Sequence, residues 1–188
     1  MTHPLAPADA TPREIDEAMS ALYLATLKAE HERAAQLSAT HSAIGERARY
    51  VSRTRKEWPS SDADALAACR VLAAGTGGPA WEVRHAAQVV AGYDAAVAEL
   101  ACISAAIRPF ADEYARRPWS RFFLVTSSNG HIHRDMACST CHYTTTYGWL
   151  PSLSGKTEDD AVAEQGTRLC SVCFPSAPVE WTRGIERT

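Results

Sequence analysis

A chain of 188 residues leaves room for one medium domain, or for a domain with a small appended module. Hydrophobic residues at 46% and charged residues at 22% place it with folded proteins and exclude a disordered polyelectrolyte. The net charge of −3 is spread evenly (13 Lys and Arg against 15 Asp and Glu in residues 1–118, 6 against 7 in residues 119–188), which excludes the global basic excess of a non-specific nucleic-acid binder and leaves such contacts to a local patch.

Residues 1–11 lack the basic start and apolar core of a signal peptide and read as a disordered leader. No apolar run approaches the ~18–20 residues of a membrane span. The expected location is therefore cytoplasmic, with no membrane partner and with reduced thiols. Thr11 is an N-cap candidate and Pro12 suits the first turn of a helix. Apolar or small residues then recur at Ile15, Met19, Leu22, Thr26, Ala29, Leu37, Ile44, Ala48 and Val51, mostly at helical spacing, and no proline interrupts residues 13–58. This predicts one long helix ended by Trp58-Pro59. Within it Arg49, Arg53 and Lys56 share a face at i, i+4, i+7, inside the dense basic stretch Arg47, Arg49, Arg53, Arg55, Lys56. They are candidate phosphate contacts, or else a solvated helix end whose cations suit the C-terminal dipole.

Ser60 or Ser61 caps a short helix opened by Asp62 and Asp64, and residues 75–79 end it in a flexible turn. A second long helix begins near Pro79 with Trp81, Val83, Val89, Val90, Tyr93, Val97, Leu100, Ile103 and Ile107 on its apolar face. Pro109 kinks or ends it, and Phe110 and Tyr114 belong to a last short helix. Cys69 and Cys102 read as small buried core residues. Residues 12–118 are thus expected to form an antiparallel helical hairpin with a short extra helix near one end, pairing within one chain or across a homodimer.

The texture changes at Trp119. Phe122 to Val125 has strand composition, Ser127-Ser128-Asn129-Gly130 carries a hairpin turn signal, and His131-Ile132-His133 returns as the partner strand. Residues 144–150 read as a further strand. Thr157-Glu158-Asp159-Asp160 opens a short helix that Gly166 ends. Trp119 and Trp149 are expected to pack the module against the helices, with Trp181 near an element end.

The chemistry lies in Cys138-Ser139-Thr140-Cys141 and Cys170-Ser171-Val172-Cys173, two C-x2-C pairs separated by 28 residues. Each pair lets two thiolates approach one ion from a tight knuckle, and two knuckles complete a tetrahedral shell. The expectation is one structural Zn2+ held by Cys138, Cys141, Cys170 and Cys173, with iron in a rubredoxin-like site as the competitor. His131, His133 and His142 lie beside the first knuckle. Each is a candidate to bond a ligand from outside the shell or to replace a cysteine, His133 through a His133-x4-Cys138 pairing. Metal binding would supply much of the folding free energy of this module, expected to have little apolar core. No P-loop, dinucleotide fingerprint, G-x-S-x-G or H-E-x-x-H occurs.

The block WSRFFLVTSSNGHIHRDMACSTC, TTTYGWLPSLSGKTEDDAVAEQG, LCSVCFPSAPVEWT resembles a recurrent C-terminal segment of uncharacterised proteins from actinobacteria and their phages. The resemblance implies a phage or mobile-element origin and a bacterial cytoplasm, and it brings no activity with it. In plan alone, a helical hairpin before a four-cysteine finger resembles the DksA/TraR regulators of RNA polymerase, whose acidic tip residues would correspond to Asp62 and Asp64. The gap between cysteine pairs is longer here and a short helix intervenes.

The sequence thus predicts an α+β protein: residues 1–11 a leader, 12–118 a helical hairpin, and 119–188 a β-rich zinc-ribbon or treble-clef-like module. The expected function is non-enzymatic binding or regulation, docking on host protein machinery more than on nucleic acid. The alternatives are an enzyme using His131, His133, Asp135 or His142 between the helices and the module, and a polymerase regulator acting through the hairpin tip.

Overall fold

A computed structural model describes residues 6–53, 55–75 and 79–179. The fold is α+β: a long helix pair and small antiparallel sheets. The order is α1 (Pro12–Ala43), β1 (Arg49–Tyr50), β2 (Lys56–Glu57), α2 (Asp62–Ala73), α3 (Ala80–Arg116), β3 (Phe123–Val125), β4 (Ile132–His133), β5 (Tyr147–Trp149) and α4 (Glu158–Gln165). The chain divides into two compact units: Met1–Leu22 with Ile107–Thr188, and Tyr23–Ala106. The expected boundary at 118 falls inside the first of these, which includes the start of α1 and the end of α3.

Helix starts follow the sequence reading. The Thr11 and Glu14 side chains cap each other's backbone N–H groups at 3.3 and 2.8 Å, with Pro12 at the first position. Ser61 accepts from the Asp64 N–H at 3.2 Å at the head of α2. Thr157 and Asp160 form a reciprocal capping box at α4, which Gly166 ends.

The long first helix is corrected. It stops at Ala43, because Gly45 adopts φ +82°, the Gly45 N–H donates to Ser42 O at 3.0 Å, and the Glu46 N–H donates to His41 O at 3.0 Å. These two bonds satisfy the last carbonyls in a left-handed C-terminal cap that glycine adopts at little cost. The residues expected on its last turns, Arg49, Arg53 and Lys56, instead lie on the β1–β2 hairpin (Arg49↔Glu57, Tyr50↔Lys56) and its tip. A second correction concerns the helix end expected as one option at Pro109 and the separate short helix after it: α3 runs through Pro109 to Arg116 and includes Phe110 and Tyr114. By length and composition α3 is also apolar enough to cross a membrane, with mean hydropathy 1.5 over 18 residues, against the expectation that no stretch of the chain is. Cys102 is exposed on α3, against expectation, whereas Cys69 is buried with its Sγ 3.8 Å from the Ala86 carbonyl.

In the Tyr23–Ala106 unit the apolar core is Cys69, Ala86 and Val89, flanked by Ala39, Ala43, Ile44, Leu72, Ala73 and Val90. Arg70 of α2 pairs with Asp94 of α3 at 2.6 Å.

The other unit holds a three-stranded antiparallel sheet in the order β4-β3-β5. Its core is Phe122, Ile132, Leu153, Ala161, Leu169, Phe174 and Ala177, so the module has more apolar core than expected. Phe122 and Phe174 stack at 5.5 Å with planes 3° apart. The start of α1 is tied in by Asp16, which is 1% exposed. It accepts from Trp119 Nε1 at 2.9 Å, Arg121 Nε at 2.9 Å and Ser154 Oγ at 2.6 Å. The Arg121 guanidinium sits 3.6 Å from the Tyr114 ring centroid and 5.1 Å from those of Trp119 and Trp149. Trp119 therefore takes the packing role expected of it, against Asp16 of α1 and Tyr114 of α3, whereas Trp149 meets Phe123 and Arg121 of its own module; Trp181 lies outside the described residues. The leader is also corrected in part: Pro7–Asp9 form a helical turn, Ala10 is buried, and Arg117 donates to the carbonyls of Pro7 and Ala10. Residues 1–5 lie outside the described residues. Glu113, buried beside Arg116 and Arg117, has its carboxyl held down at about 2 by their hydrogen bonds.

Candidate metal centre

The site is built on the β3–β4 hairpin. Its turn closes with Gly130 N–H donating to Ser127 O and Val125 N–H to His131 O, both at 3.0 Å. Register then pairs Phe123 with His133 and Leu124 with Ile132. Ile132 points into the core and makes a parallel bridge to Leu169, and its carbonyl accepts from the Cys170 N–H at 2.9 Å. This stitch sets the second knuckle beside β4. The knuckles themselves are tight turns: Cys141 N–H donates to Cys138 O, and Phe174 N–H to Cys170 O, each at 2.9 Å. Tyr147 of β5 donates its hydroxyl to Met136 O at 2.9 Å and pins the loop before the first knuckle. Asp135 accepts from the Ala137 N–H at 2.6 Å in the same loop.

These elements bring His133, Cys138, Cys170 and Cys173 together, with one ligand atom from each within 4.8 Å of the others, a group able to hold a metal ion. Cys138 and Cys170 have their sulfurs 4.0 Å apart, close to the S···S edge of about 3.8 Å in a tetrahedral shell of Zn–S ~2.3 Å bonds. Cys173 Sγ is 3.7 Å from His133 Nδ1. The fourth expected cysteine, Cys141, borders the group with its Sγ 3.5 Å from His133 Nε2. His133 thus stands among the sulfurs, the alternative the sequence left open, while His131 is exposed and His142 is exposed and bonded to Thr144 Oγ1 at 3.0 Å.

The electrostatics follow from burial. Burial, and then the neighbouring His131, push the His133 imidazole toward its neutral form, which is the form that ligates metals. Burial pushes the Cys173 thiol up to about 12, whereas the Thr140 hydroxyl, 3.2 Å from Cys138 Sγ, lowers the Cys138 thiol. A divalent cation reverses the burial penalty, since a coordinated thiol gives up its proton outright. Thr140 also lies 3.7 Å from Cys170 Sγ, so one hydroxyl serves both knuckles. Its place inside the first C-x2-C was the only sequence signal for that role.

A cavity of about 510 Å³ opens beside the cluster, lined by His131, His133, Thr140, Cys141 and Cys170 together with other residues of 125–179. Of the residues of the enzyme alternative, His131 and His133 line it and Asp135 and His142 do not. The acidic pair of the tip alternative is exposed and also bonded locally: Asp62 Oδ1 is 3.0 Å from His41 Nε2, and Asp64 accepts from the Ser61 hydroxyl at 2.7 Å.

His41 itself gave no sequence signal. It is buried at the end of α1, with Nδ1 2.7 Å from Glu46 Oε2, Nε2 3.0 Å from Asp62 Oδ1, and its ring stacked on Trp58. Burial opposes its protonation, but the hydrogen bonds and charges of Asp62 and Glu46 outweigh this and raise its pKa.

Comparison with protein-family models, characterised proteins and solved structures finds no match to this chain. The functional reading therefore rests on the geometry.

Proposed function

We propose that this is a non-enzymatic docking protein of a bacterial cytoplasm, its C-terminal module fixed by one structural zinc ion held by Cys138, Cys170, Cys173 and His133. The observation that carries the reading is the convergence of those four ligand atoms from two knuckles and a strand within 4.8 Å of one another. Soft thiolates with one imidazole suit zinc, and four protein ligands close its tetrahedral shell, leaving no open position for catalysis. The ion cross-links β4 to both knuckles and so fixes the surface around them. The set differs from the four-thiolate expectation by one ligand, with Cys141 next to the imidazole that takes its place.

Elemental mass spectrometry on protein purified without added metal should give one zinc per chain, lost in Cys170→Ser together with the fold of the module. With cobalt(II) as a spectroscopic substitute, His133→Ala should change the spectrum and weaken binding by more than about 100-fold, beyond the range typical of residues that only support a ligand. Cys141→Ser should leave the spectrum in place. The opposite pattern returns the shell to four thiolates, and protein that folds without metal overturns the reading.

A further inference from the structure

The β1–β2 hairpin belongs to the Tyr23–Ala106 unit and takes no part in the metal centre. Residues 46–57 carry Arg47, Arg49, Arg53, Arg55 and Lys56 against Glu46 and Glu57, a net charge of +3 in a chain whose total is −3. The remaining residues therefore sum to −6, and the cations are concentrated on one small projection.

Its geometry keeps them available. The tip closes through Val51 N–H to Arg55 O at 3.0 Å and Arg55 N–H to Ser52 Oγ at 3.1 Å. Glu57 is shared by Arg49 at 3.0 Å and Arg55 at 2.5 Å, so one carboxylate serves two guanidiniums that stay 81% and 68% exposed. Arg47 and Arg53 make no ion pair among the described residues. Glu46 is spent on His41. On the other face of the ribbon Tyr50 is 68% exposed, with Lys56 5.6 Å from its ring centroid. Below it Arg47, Arg49, Glu57, Trp58 and Pro59 line a cavity of about 290 Å³. The stack of Trp58 on buried His41 anchors the base of the ribbon, so these groups are held out on a fixed support.

We infer that this hairpin binds single-stranded nucleic acid, its arginines on successive phosphates and Tyr50 under a base. Arginine forks match phosphate oxygens in pairs, and an exposed ring beside cations offers a stacking platform that a folded acidic protein surface would not use. An unpaired strand presents its bases for that platform, whereas a duplex hides them. The sequence reading leaned toward a protein partner because the chain lacks overall basicity, and it placed these cations on a helix. The inference names the partner of the docking protein proposed above, but it does not depend on the zinc site.

The test uses the full-length chain with a fluorescein-labelled oligothymidylate of twenty nucleotides, read by anisotropy between 50 and 300 mM salt. Three to four phosphate contacts predict a slope of log affinity against log salt of about −2 to −3. Arg47→Ala/Arg53→Ala should weaken binding at least about tenfold at the lower salt, and Tyr50→Ala about tenfold. Neither change touches an ion pair of the fold or a metal ligand, so unchanged circular dichroism and zinc content separate failure here from failure of the metal reading. Absence of binding at 50 mM salt, undiminished binding by both variants, tighter binding of a duplex of the same length, or equal binding of polyglutamate would each overturn the inference.

Discussion

The imidazole of His41 lies flat on the indole of Trp58, with ring centroids 4.6 Å apart and planes 7° from parallel, and each of its nitrogens meets a carboxylate. Glu46 on one side and Asp62 on the other can both be satisfied only by a ring that donates from both nitrogens, that is, by imidazolium. The arrangement joins the end of α1, the loop leaving it and the first turn of α2. It belongs to the network that supports the basic hairpin.

A pH dependence follows. The His41 pKa is raised above its ordinary 6.5, so the stability it contributes is complete below about 6.5 and is lost as pH rises through the higher folded value. Urea midpoints of the wild-type chain should fall between pH 6 and 9, and His41→Gln should flatten that slope. Parallel profiles for the two proteins would remove His41 as its source.

Asp16 and Arg121, 105 residues apart in sequence, form an ion pair among aromatic rings. Truncating one member of such a pair leaves the other charge buried without compensation. Asp16→Ala should therefore cost about 3–5 kcal/mol, while the exposed ion-pair variant Arg13→Ala should cost under about 1 kcal/mol. Denaturant unfolding would measure both, and equal small losses would show that Arg121 finds another route to solvent.

Gly130 illustrates close approach. A Cβ there would lie 1.8 Å from the Val125 carbonyl oxygen, so Gly130→Ala must open the turn that sets the register of His133. A loss of about 2–3 kcal/mol is expected, with weaker metal binding as its companion. Gly148→Ala on β5, where the nearest atom is 3.8 Å away, is the control that should stay within about 1 kcal/mol.

The parts legible in the sequence were those written in local chemistry. Thr11, Ser61 and Thr157 announce helix starts because a side-chain oxygen answers backbone N–H groups a few residues on, and Asn129-Gly130 announces its turn for a similarly local reason. The cysteine pairs belong with them, since two residues between thiols define a knuckle. What failed needed a choice among local options or a partner far away. Gly45 was a single glycine in a periodic run, and only the completed cap shows that it ends the helix. Pro109 forfeits one hydrogen bond, which packing along a long helix can absorb. Asp16 and Cys102 could not be sorted into buried and exposed from spacing, because that depends on which face meets a neighbour. The entry of His133 among the sulfurs depends on strand register, which the turn sets and the sequence only implies.

The first unit is assembled from the two ends of the described chain, residues up to Leu22 and from Ile107 onward, with the second unit threaded between them. During synthesis the second unit can close as soon as its last helix segment leaves the ribosome. Asp16, already made, must wait for Arg121 and then Ser154 before its carboxylate is matched, and the second knuckle arrives later still. Until then a helix start with an unmatched acid, and two early cysteines without their partners, are open to the cell. Premature release or a stalled ribosome would thus leave one unit finished and the other without half of its own surface, a state that chaperones and proteases could tell apart from the completed protein.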